Sequence, residues 1–166
     1  MILTTDRLVL RAPMPTDVDA MFAAYSDPRA MRYWSTAPHE TATVTQDLLD
    51  RCIAWWAIQP VNFHITINDM YIGSAGNFRG DEIGFMLHPD YWRQGILTEA
   101  MQAIIPYLWE VTDHTQLTAD ADPNNTASVR LLQKLGFHET HRAEKTFVIN
   151  GVWSDSVYFA RYRPAL

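Results

Sequence analysis

The sequence predicts an α+β (α/β) protein in which about four helices flank a mixed central sheet of about seven strands. Three observations lead to this fold class. Three strand-like segments follow one another closely between residues 63 and 87, a strand–helix–strand unit occupies residues 82 to 120, and a hairpin signal lies at Asn150-Gly151. The 166 residues contain no internal repeat or linker, so we expect a single domain over residues 1–166.

The composition narrows the classes of protein that the chain can belong to. A net charge of −6 argues against a broad nucleic-acid-binding surface, which would carry an excess of lysine and arginine. No apolar run approaches the ~20 residues that a membrane-spanning helix needs, and residues 1–7 do not resemble a secretory signal. Cys52 is the only cysteine, which fits a reducing environment. We therefore expect a cytoplasmic globular protein with no nucleic-acid and no membrane partner.

The first third of the chain begins with a strand and a helix. Apolar residues predict a strand over Leu8–Arg11, and a helix follows over Asp17–Tyr25 with Thr16 as its N-cap. The segment from Arg29 to His39 is expected to be irregular. It contains Tyr33 and Trp34, two large aromatic residues that either cover the core or line a binding pocket.

A second helix is predicted over Ala42–Gln59, where Pro60 follows. Cys52 lies within its apolar stripe and is interpreted as a small hydrophobic residue, with a nucleophile as the alternative. The stripe is expected to be buried and consists of Val44, Leu48, Leu49, Cys52, Ile53 and Trp56.

Two strands are predicted next. Alternating apolar residues over Phe63–Ile67 indicate the first, in which His64 falls on the polar face and is expected to be solvated. The second starts at Met70, and its two glycines, Gly73 and Gly76, indicate a bulge or a close approach of two backbones.

The third strand leads into the most informative stretch of the chain. The strand begins at Glu82 and ends before Pro89, and apolar residues at helical spacing predict a helix from Ile96 to about Val111. Gly95 lies at the helix entrance, where unpaired backbone N–H groups and the helix dipole favour an anion. The stretch therefore predicts a phosphate cradle, with an ordinary strand-to-helix turn as the alternative. Neither a Gly-x-Gly-x-x-Gly fingerprint nor a Gly-Lys-Ser/Thr loop is present.

The remaining elements complete the predicted sheet. A strand over Gln116–Asp120 is expected to run parallel to the strand before the helix. A helix over Thr126–Leu135 follows, with Gly136 just past its end. Strands over residues 137–142 and 146–149 then lead to Asn150-Gly151, a type I′ turn signal, and the last strand pairs back over Val152–Tyr162.

Four stretches match a known family in the right order: Thr4–Arg11, Tyr71–Gly76, Ile83–Ala100 and Asn125–Phe137. Together with the aromatic closing hairpin they cover nearly the whole chain. In these stretches the sequence resembles the GNAT superfamily of acetyl-CoA-dependent N-acetyltransferases, and most of all the branch of the ribosomal-protein N-terminal alanine acetyltransferases. The resemblance implies the GNAT fold, with a central sheet splayed between its fourth and fifth strands.

The resemblance also implies how acetyl-CoA, the co-substrate, is held. Backbone groups of Met86, Leu87 and His88 would bind the pantetheine arm, and Asn125 would bond its amide from the start of the last helix. The pyrophosphate would be bound by the backbone N–H groups of Trp92, Arg93, Gln94, Gly95, Ile96, Leu97 and Thr98.

The sequence departs from the family pattern at three positions. Arg93 replaces the first glycine of the loop, although its cation could pair with a phosphate. Leu97 replaces a small residue and is expected to face the core. Leu132 stands where the family often carries a tyrosine that protonates the departing thiolate.

Acetyl transfer to an amine needs a proton acceptor for the ammonium group and a donor to the tetrahedral oxyanion. Glu82, which starts the strand before Pro89, is the first candidate base. Its alternative role is that of a solvent-exposed acid that only pairs with Arg79. Asp120 is the second candidate base. Ser128 either donates to the thiolate or only stabilises the helix start. A backbone N–H near Met86 or Leu87 is the expected oxyanion donor.

The acceptor is expected to be a small-molecule amine or a protein N-terminus, in a pocket shaped by Tyr33, Trp34 and Trp153. No metal is expected, since His138 and His141 would point to opposite faces of one strand. A homodimer is compatible with the sequence. The alternative to an enzyme is a degenerate domain that binds acyl-CoA as a sensor, or binds a protein partner, without catalysis.

Overall fold

The computed structural model describes residues 2–165, and Met1 and Leu166 lie outside the described residues. One sheet of eight strands forms the centre, in the spatial order β1-β2-β3-β4-β5-β6-β8-β7. The strands are β1 (Leu3–Thr4), β2 (Val9–Arg11), β3 (Asn62–Ile67), β4 (Met70–Arg79), β5 (Glu82–Leu87), β6 (Gln116–Ala121), β7 (His138–Ile149) and β8 (Val152–Tyr162). The helices are α1 (Val18–Tyr25), α2 (Pro28–Met31), α3 (Ala42–Ile58), α4 (Ile96–Val111) and α5 (Thr126–Lys134).

The sheet is mixed because one pair of neighbours is parallel. Strands β5 and β6 run in the same direction and share a single residue pair, Glu82 with Thr118. Beyond that pair they diverge, while the other neighbouring strands pair antiparallel. The predicted fold class and the predicted splay of the sheet are therefore confirmed.

Both faces of the sheet are covered by helices. On one face α4 packs through Ala100, Met101 and Ile104 against Ile83 and other strand residues, and this is the main core. Burying each such aliphatic side chain contributes roughly 1.5–3 kcal/mol. A second, smaller cluster on the opposite face packs residues of α1 and α3 against the sheet: Met21, Ala24, Tyr25, Met31, Leu49, Tyr71 and Met86.

Tight backbone contacts explain the two glycines of β4. A Cβ atom at Gly73 would lie 2.3 Å from the Met86 carbonyl oxygen, and one at Gly76 would lie 2.2 Å from the Val61 carbonyl oxygen. The close approach predicted for this strand is confirmed. At the other end of the chain, Asn150 and Gly151 both have positive φ, as the predicted type I′ hairpin requires.

Several local predictions were wrong. Strand β1 and the single-turn helix α2 were not predicted, because neither is long enough to show a periodic pattern of apolar residues. Thr16 does not cap α1: a short 3₁₀ turn over Pro15–Asp17 precedes the helix, and α1 starts at Val18. Val44 was placed in the buried stripe of α3 but is 45% exposed, at the solvent-facing start of that helix. No helix within residues 2–165 has the length and apolar character needed to cross a bilayer.

Candidate active site

The turn into α4 has the backbone conformation of an anion cradle. Gly95 is the N-cap of α4 with φ +75°, in the left-handed region that glycine adopts without strain. A Cβ atom added there would meet only the Arg7 guanidinium, at 3.8 Å, so the space in front of the turn is open. The first N–H groups of α4 have no intrahelical partner and point out of the helix end. These features fit a bound pyrophosphate.

The N-terminal segment holds this turn in place. Arg7 donates to the Gln94 carbonyl oxygen at 3.0 Å and forms an ion pair with Glu99 on the first turn of α4. Thr5 also donates to Glu99, at 2.5 Å. The helix entrance is therefore fixed before any anion arrives.

Leu97 and Arg93, the two residues of this turn that differ from the family pattern, have different structural consequences. Leu97 packs against the main core, so its side chain points away from the open side of the turn, as predicted. Arg93 has φ +61° and is exposed. A left-handed conformation costs a non-glycine residue roughly 1–2 kcal/mol, so the chain accepts local strain to keep an arginine at the cradle.

We expect Arg93→Gly to weaken acetyl-CoA binding about fivefold to tenfold, because a cation that pairs with phosphate is lost. The free energy of unfolding should change by less than about 1 kcal/mol, since relief of strain offsets the added flexibility of the unfolded chain. Calorimetric titration measures the affinity, and Arg93→Lys is the matched control that keeps the charge. An Arg93→Gly protein that binds as tightly as the wild type would reduce Arg93 to a surface residue.

Because β5 diverges from β6, a gap opens between the two strands, and the backbone groups of β5 that face this gap can bind a ligand. The N–H of His88 donates to the Ile72 carbonyl oxygen, so in this antiparallel ladder Met86 also directs its N–H and C=O towards β4. Phe85 and Leu87 direct theirs towards the gap. Of the two residues predicted to donate to the oxyanion, Leu87 therefore has the suitable direction, and Met86 is engaged in the sheet. The Leu87 carbonyl oxygen accepts from the indole N–H of Trp92 at 2.9 Å.

The start of α5 follows β6 after a short turn over residues 122–125. Asn125 is the N-cap of α5 and its side-chain oxygen accepts from the Ser128 N–H at 3.2 Å. Its amide NH₂ group is left for a ligand carbonyl. Ser128 is half-buried on the first turn of the helix. Leu132, which replaces the family tyrosine, is 1% exposed within the main core and offers no proton.

Two carboxylates lie near the closed end of the gap. Glu82 forms an ion pair with Arg79 at 3.2 Å, which matches the alternative role foreseen for it. Asp120 accepts from the Ser156 hydroxyl at 3.1 Å. Loss of surrounding solvent raises the pKa of Asp120, and the charges of Glu82 and Asp122 raise it further, against the hydrogen bond from Ser156.

An aromatic cavity of about 340 Å³ opens on the α1/α3 face of the sheet. Two lining residues on β4 lie next to β5: Ser74 is the cross-strand neighbour of Met86, and the Phe78 ring lies against Gly84, where a Cβ would be 3.0 Å from it. The lining residues are Met21, Tyr25, Trp34, Leu48, Arg51, Cys52, Trp55, Trp56, Asn62, His64, Ser74 and Phe78. A second cavity of about 410 Å³ adjoins it and shares Tyr25, Trp34, Leu48 and Arg51.

The three aromatic residues predicted to shape the acceptor pocket lie in different places. Trp34 lines both cavities and packs edge-on against Tyr25 with 6.2 Å between ring centroids. Tyr33 stacks under the Arg32 guanidinium and lines neither cavity. Trp153 is 55% exposed beside the tip of the closing hairpin.

The prediction that His64 is solvated was wrong. His64 is 2% exposed, because α1 and α3 cover the face of the sheet that alternation marks as polar. Its Nδ1 lies 2.7 Å from Asp17 Oδ2, and Arg11 donates to both oxygens of the same carboxylate at 2.9 and 2.7 Å. Although burial opposes it, the hydrogen bonds from Arg11 and His64 hold the pKa of Asp17 well below its usual range. The sequence did not reveal this group because His64 lies 47 residues after Asp17.

The buried imidazole should make the stability of the protein depend on pH. Burial lowers the pKa of His64, against the Asp17 contact, which raises it. The unfolded chain then binds a proton below ~6.5 that the folded protein does not bind, so the free energy of unfolding falls as the pH is lowered through this range. We expect urea unfolding between about pH 7.5 and pH 5 to show a slope approaching ~1 kcal/mol per pH unit that His64→Gln reduces. Equal slopes in both proteins would contradict a buried neutral His64.

Within the part of the chain that the structure describes, no three histidine, cysteine, aspartate or glutamate side chains are grouped so that they could hold a metal ion.

An open helix N-terminus beside a splayed pair of parallel strands is suited to binding an anionic ligand, and comparisons with known proteins identify the family. Residues 7–138 match the family described as Acetyltransferase (GNAT) domain. The chain therefore belongs to the GNAT acetyltransferase family and is an acyltransferase.

Individual relatives support this membership. The chain is 26% identical to "Uncharacterized N-acetyltransferase YoaA" of Bacillus subtilis, with 98% of this chain and 97% of that protein covered. It is 27% identical to the "[Ribosomal protein uS5]-alanine N-acetyltransferase" of Escherichia coli, with 98% and 91% covered. A solved GNAT-family acetyltransferase from Bacillus anthracis has the same fold, with a TM-score of 0.85, 24% identity and 98% of each chain covered.

Proposed function

We propose that the protein transfers the acetyl group of acetyl-CoA to a primary amine by direct attack of the amine on the thioester. The observation that carries this proposal is Gly95, left-handed and open to solvent at the N-terminus of α4, next to the gap between β5 and β6. The first backbone N–H groups of α4, the Leu87 N–H and the Asn125 amide would hold the pyrophosphate and pantetheine there. The single domain, over residues 1–166, would contain the whole site.

Several groups are proposed for the proton transfers and for charge stabilisation. The Leu87 N–H is directed into the gap, where an oxyanion would form. Glu82 and Asp120 are candidate bases for the amine, and Ser128 is the candidate donor to the thiolate.

The acceptor is proposed to enter through the aromatic cavity, either as a small-molecule amine or as a protein N-terminus. Two observations favour the N-terminus. A relative that acetylates the alanine of a ribosomal protein covers nearly the whole chain. The two cavities also share four lining residues, so together they offer room for several consecutive residues of a peptide.

The test combines binding with turnover. Calorimetric titration with acetyl-CoA measures occupation of the cradle, and thiol release is then followed with a panel of amines and short peptides with free N-termini. We expect micromolar binding and thiol release with at least one acceptor class. Tight binding without thiol release from any acceptor would favour a sensor of acyl-CoA, the reading that Leu132 and Arg93 support.

A further inference from the structure

The buried group Arg11–Asp17–His64 fixes which nitrogen of the histidine carries a proton. Arg11 binds both oxygens of Asp17, and the carboxylate is ionised, so it can only accept from the imidazole. His64 Nδ1 must therefore be protonated. The neutral ring then has its lone pair on Nε2, which is the arrangement that a proton acceptor needs.

The sheet register places this histidine in line with the strand of the proposed acetyl site. Arg11 pairs with His64, His64 with Ser74, and Ser74 with Met86, across four neighbouring strands. Cross-strand partners point to the same face, so all four side chains lie on the α1/α3 face. The backbones of His64 and Met86 are two strand spacings apart, or roughly 10 Å. The space above Ser74 between them belongs to the aromatic cavity.

His64 and Ser74 are polar residues on the floor of a largely aromatic cavity, and neither Glu82 nor Asp120 lines it. Glu82 is paired with Arg79 and Asp120 with Ser156, both away from the cavity lining. An ammonium acceptor that occupies the cavity would thus lie beside the imidazole and away from both carboxylates.

We propose that His64 is the proton acceptor for the ammonium form of the acetyl acceptor, and that Asp17 is the residue that positions it. This rests on the proposed function. Because the backbones of His64 and Met86 are roughly 10 Å apart, the ammonium proton passes to His64 Nε2 through a short chain of waters above Ser74. The freed amine lone pair forms the C–N bond and the C–S bond breaks. One N–H proton then leaves the nitrogen for the thiolate, and the imidazolium proton goes to solvent.

The surroundings of His64 are consistent with a neutral base. Burial lowers the pKa of the imidazole, so the ring is uncharged at neutral pH and can accept a proton. The titratable and charged groups that face it from the packed elements are Arg11, Asp17, Tyr71, Tyr25, Cys52 and Arg51. Of these, Asp17 is the anion that stabilises an imidazolium once it forms.

The experiment compares kcat as a function of pH for the wild type, His64→Gln and Glu82→Gln, with the best acceptor from the thiol-release panel. We expect His64→Gln to lower kcat by about 10²–10⁴-fold and to remove the acidic limb of the profile. Its acetyl-CoA affinity should be unchanged, because His64 is remote from the Gly95 turn. His138→Gln is the control: this exposed histidine contacts Tyr162 in a tilted arrangement at the edge of the sheet, outside the cavity.

Two further readouts separate a chemical role from a structural one. Nitrogen-15 NMR of the His64 ring should show the Nδ1–H tautomer, and Asp17→Asn should lower kcat and shift the acidic limb without changing acetyl-CoA affinity. An Nε2–H tautomer, or a His64→Gln protein with the wild-type profile, would overturn the proposal. So would loss of the acidic limb in Glu82→Gln alone. A wild-type protein that releases no thiol with any acceptor would overturn the proposed function and this role with it.

Discussion

Replacing Gly95 by glutamate is expected to weaken acetyl-CoA binding by about 30- to 1000-fold. The new carboxylate would lie at the end of α4 against the phosphates, and a like-charge contact at ~4 Å costs roughly 2–4 kcal/mol at the dielectric of a protein surface. Any side chain at this position also carries the strain of a φ near +75°. Calorimetric titration with acetyl-CoA is the direct measurement.

Gly95→Gln is the matched control, because glutamine has the same size and the same backbone strain without the charge. We expect it to lose less than about tenfold in affinity, since only the strain of roughly 1–2 kcal/mol remains. If glutamate and glutamine weaken binding equally, the turn does not bind phosphate. If neither weakens it, acetyl-CoA binds elsewhere.

The second large effect concerns stability. Asp17→Ala is expected to lower the free energy of unfolding by about 3–5 kcal/mol, because it leaves a buried guanidinium and a buried imidazole without their shared partner. Asp17 is 4% exposed and the Arg11 side chain 11%. The Met14 N–H also loses its acceptor, which is 2.9 Å away. Urea unfolding at neutral pH measures the loss.

A surface ion pair provides the control for this effect. Glu139 accepts from Arg142 at 2.7 Å, and both side chains are exposed. Water and salt screen such a pair, so Glu139→Gln should unfold at the same urea concentration as the wild type. An Asp17→Ala protein as stable as the wild type would mean that Arg11 and His64 find other partners when the carboxylate is gone.

The elements with a clear period or a specific turn signal were predictable from the sequence. Helix α4 begins at Ile96 and ends at Val111 as its apolar spacing indicated, and the hairpin turns at Asn150-Gly151. The splay between β5 and β6 followed from the resemblance. By contrast, α2 is a single turn and β1 has two residues, so no periodic pattern could reveal them.

The environment of His64 was not predictable for a different reason. Alternation along β3 correctly separates Phe63 and Ile65 from His64, but it cannot tell a solvated face from one covered by α1 and α3. The partner of His64, Asp17, lies 47 residues earlier in the chain. Only the folded register of β2, β3 and β4 brings Arg11, His64 and Ser74 into one row.

The candidate site also has a part that could be predicted from the sequence and a part that could not. The cradle could be located from local sequence, because Gly95 and the helix after it are neighbours in the chain. The choice between Met86 and Leu87 as the backbone donor depends on the ladder with β4, which the sequence does not specify. The aromatic cavity is built from five separate segments, and of the aromatic residues predicted for the acceptor pocket only Trp34 lines it.

The central claim is transfer of an acetyl group from acetyl-CoA to an amine, and the most direct measurement is the ratio of two products. The wild-type protein is incubated with acetyl-CoA and the acceptor panel; free thiol is determined by colorimetry and acetylated amine by mass spectrometry. We predict equal amounts of thiol and amide for at least one acceptor, and far less of both products with Gly95→Glu at an acetyl-CoA concentration near the wild-type Kd. Acetyl-CoA that binds yet yields no amide with any acceptor would contradict the claim.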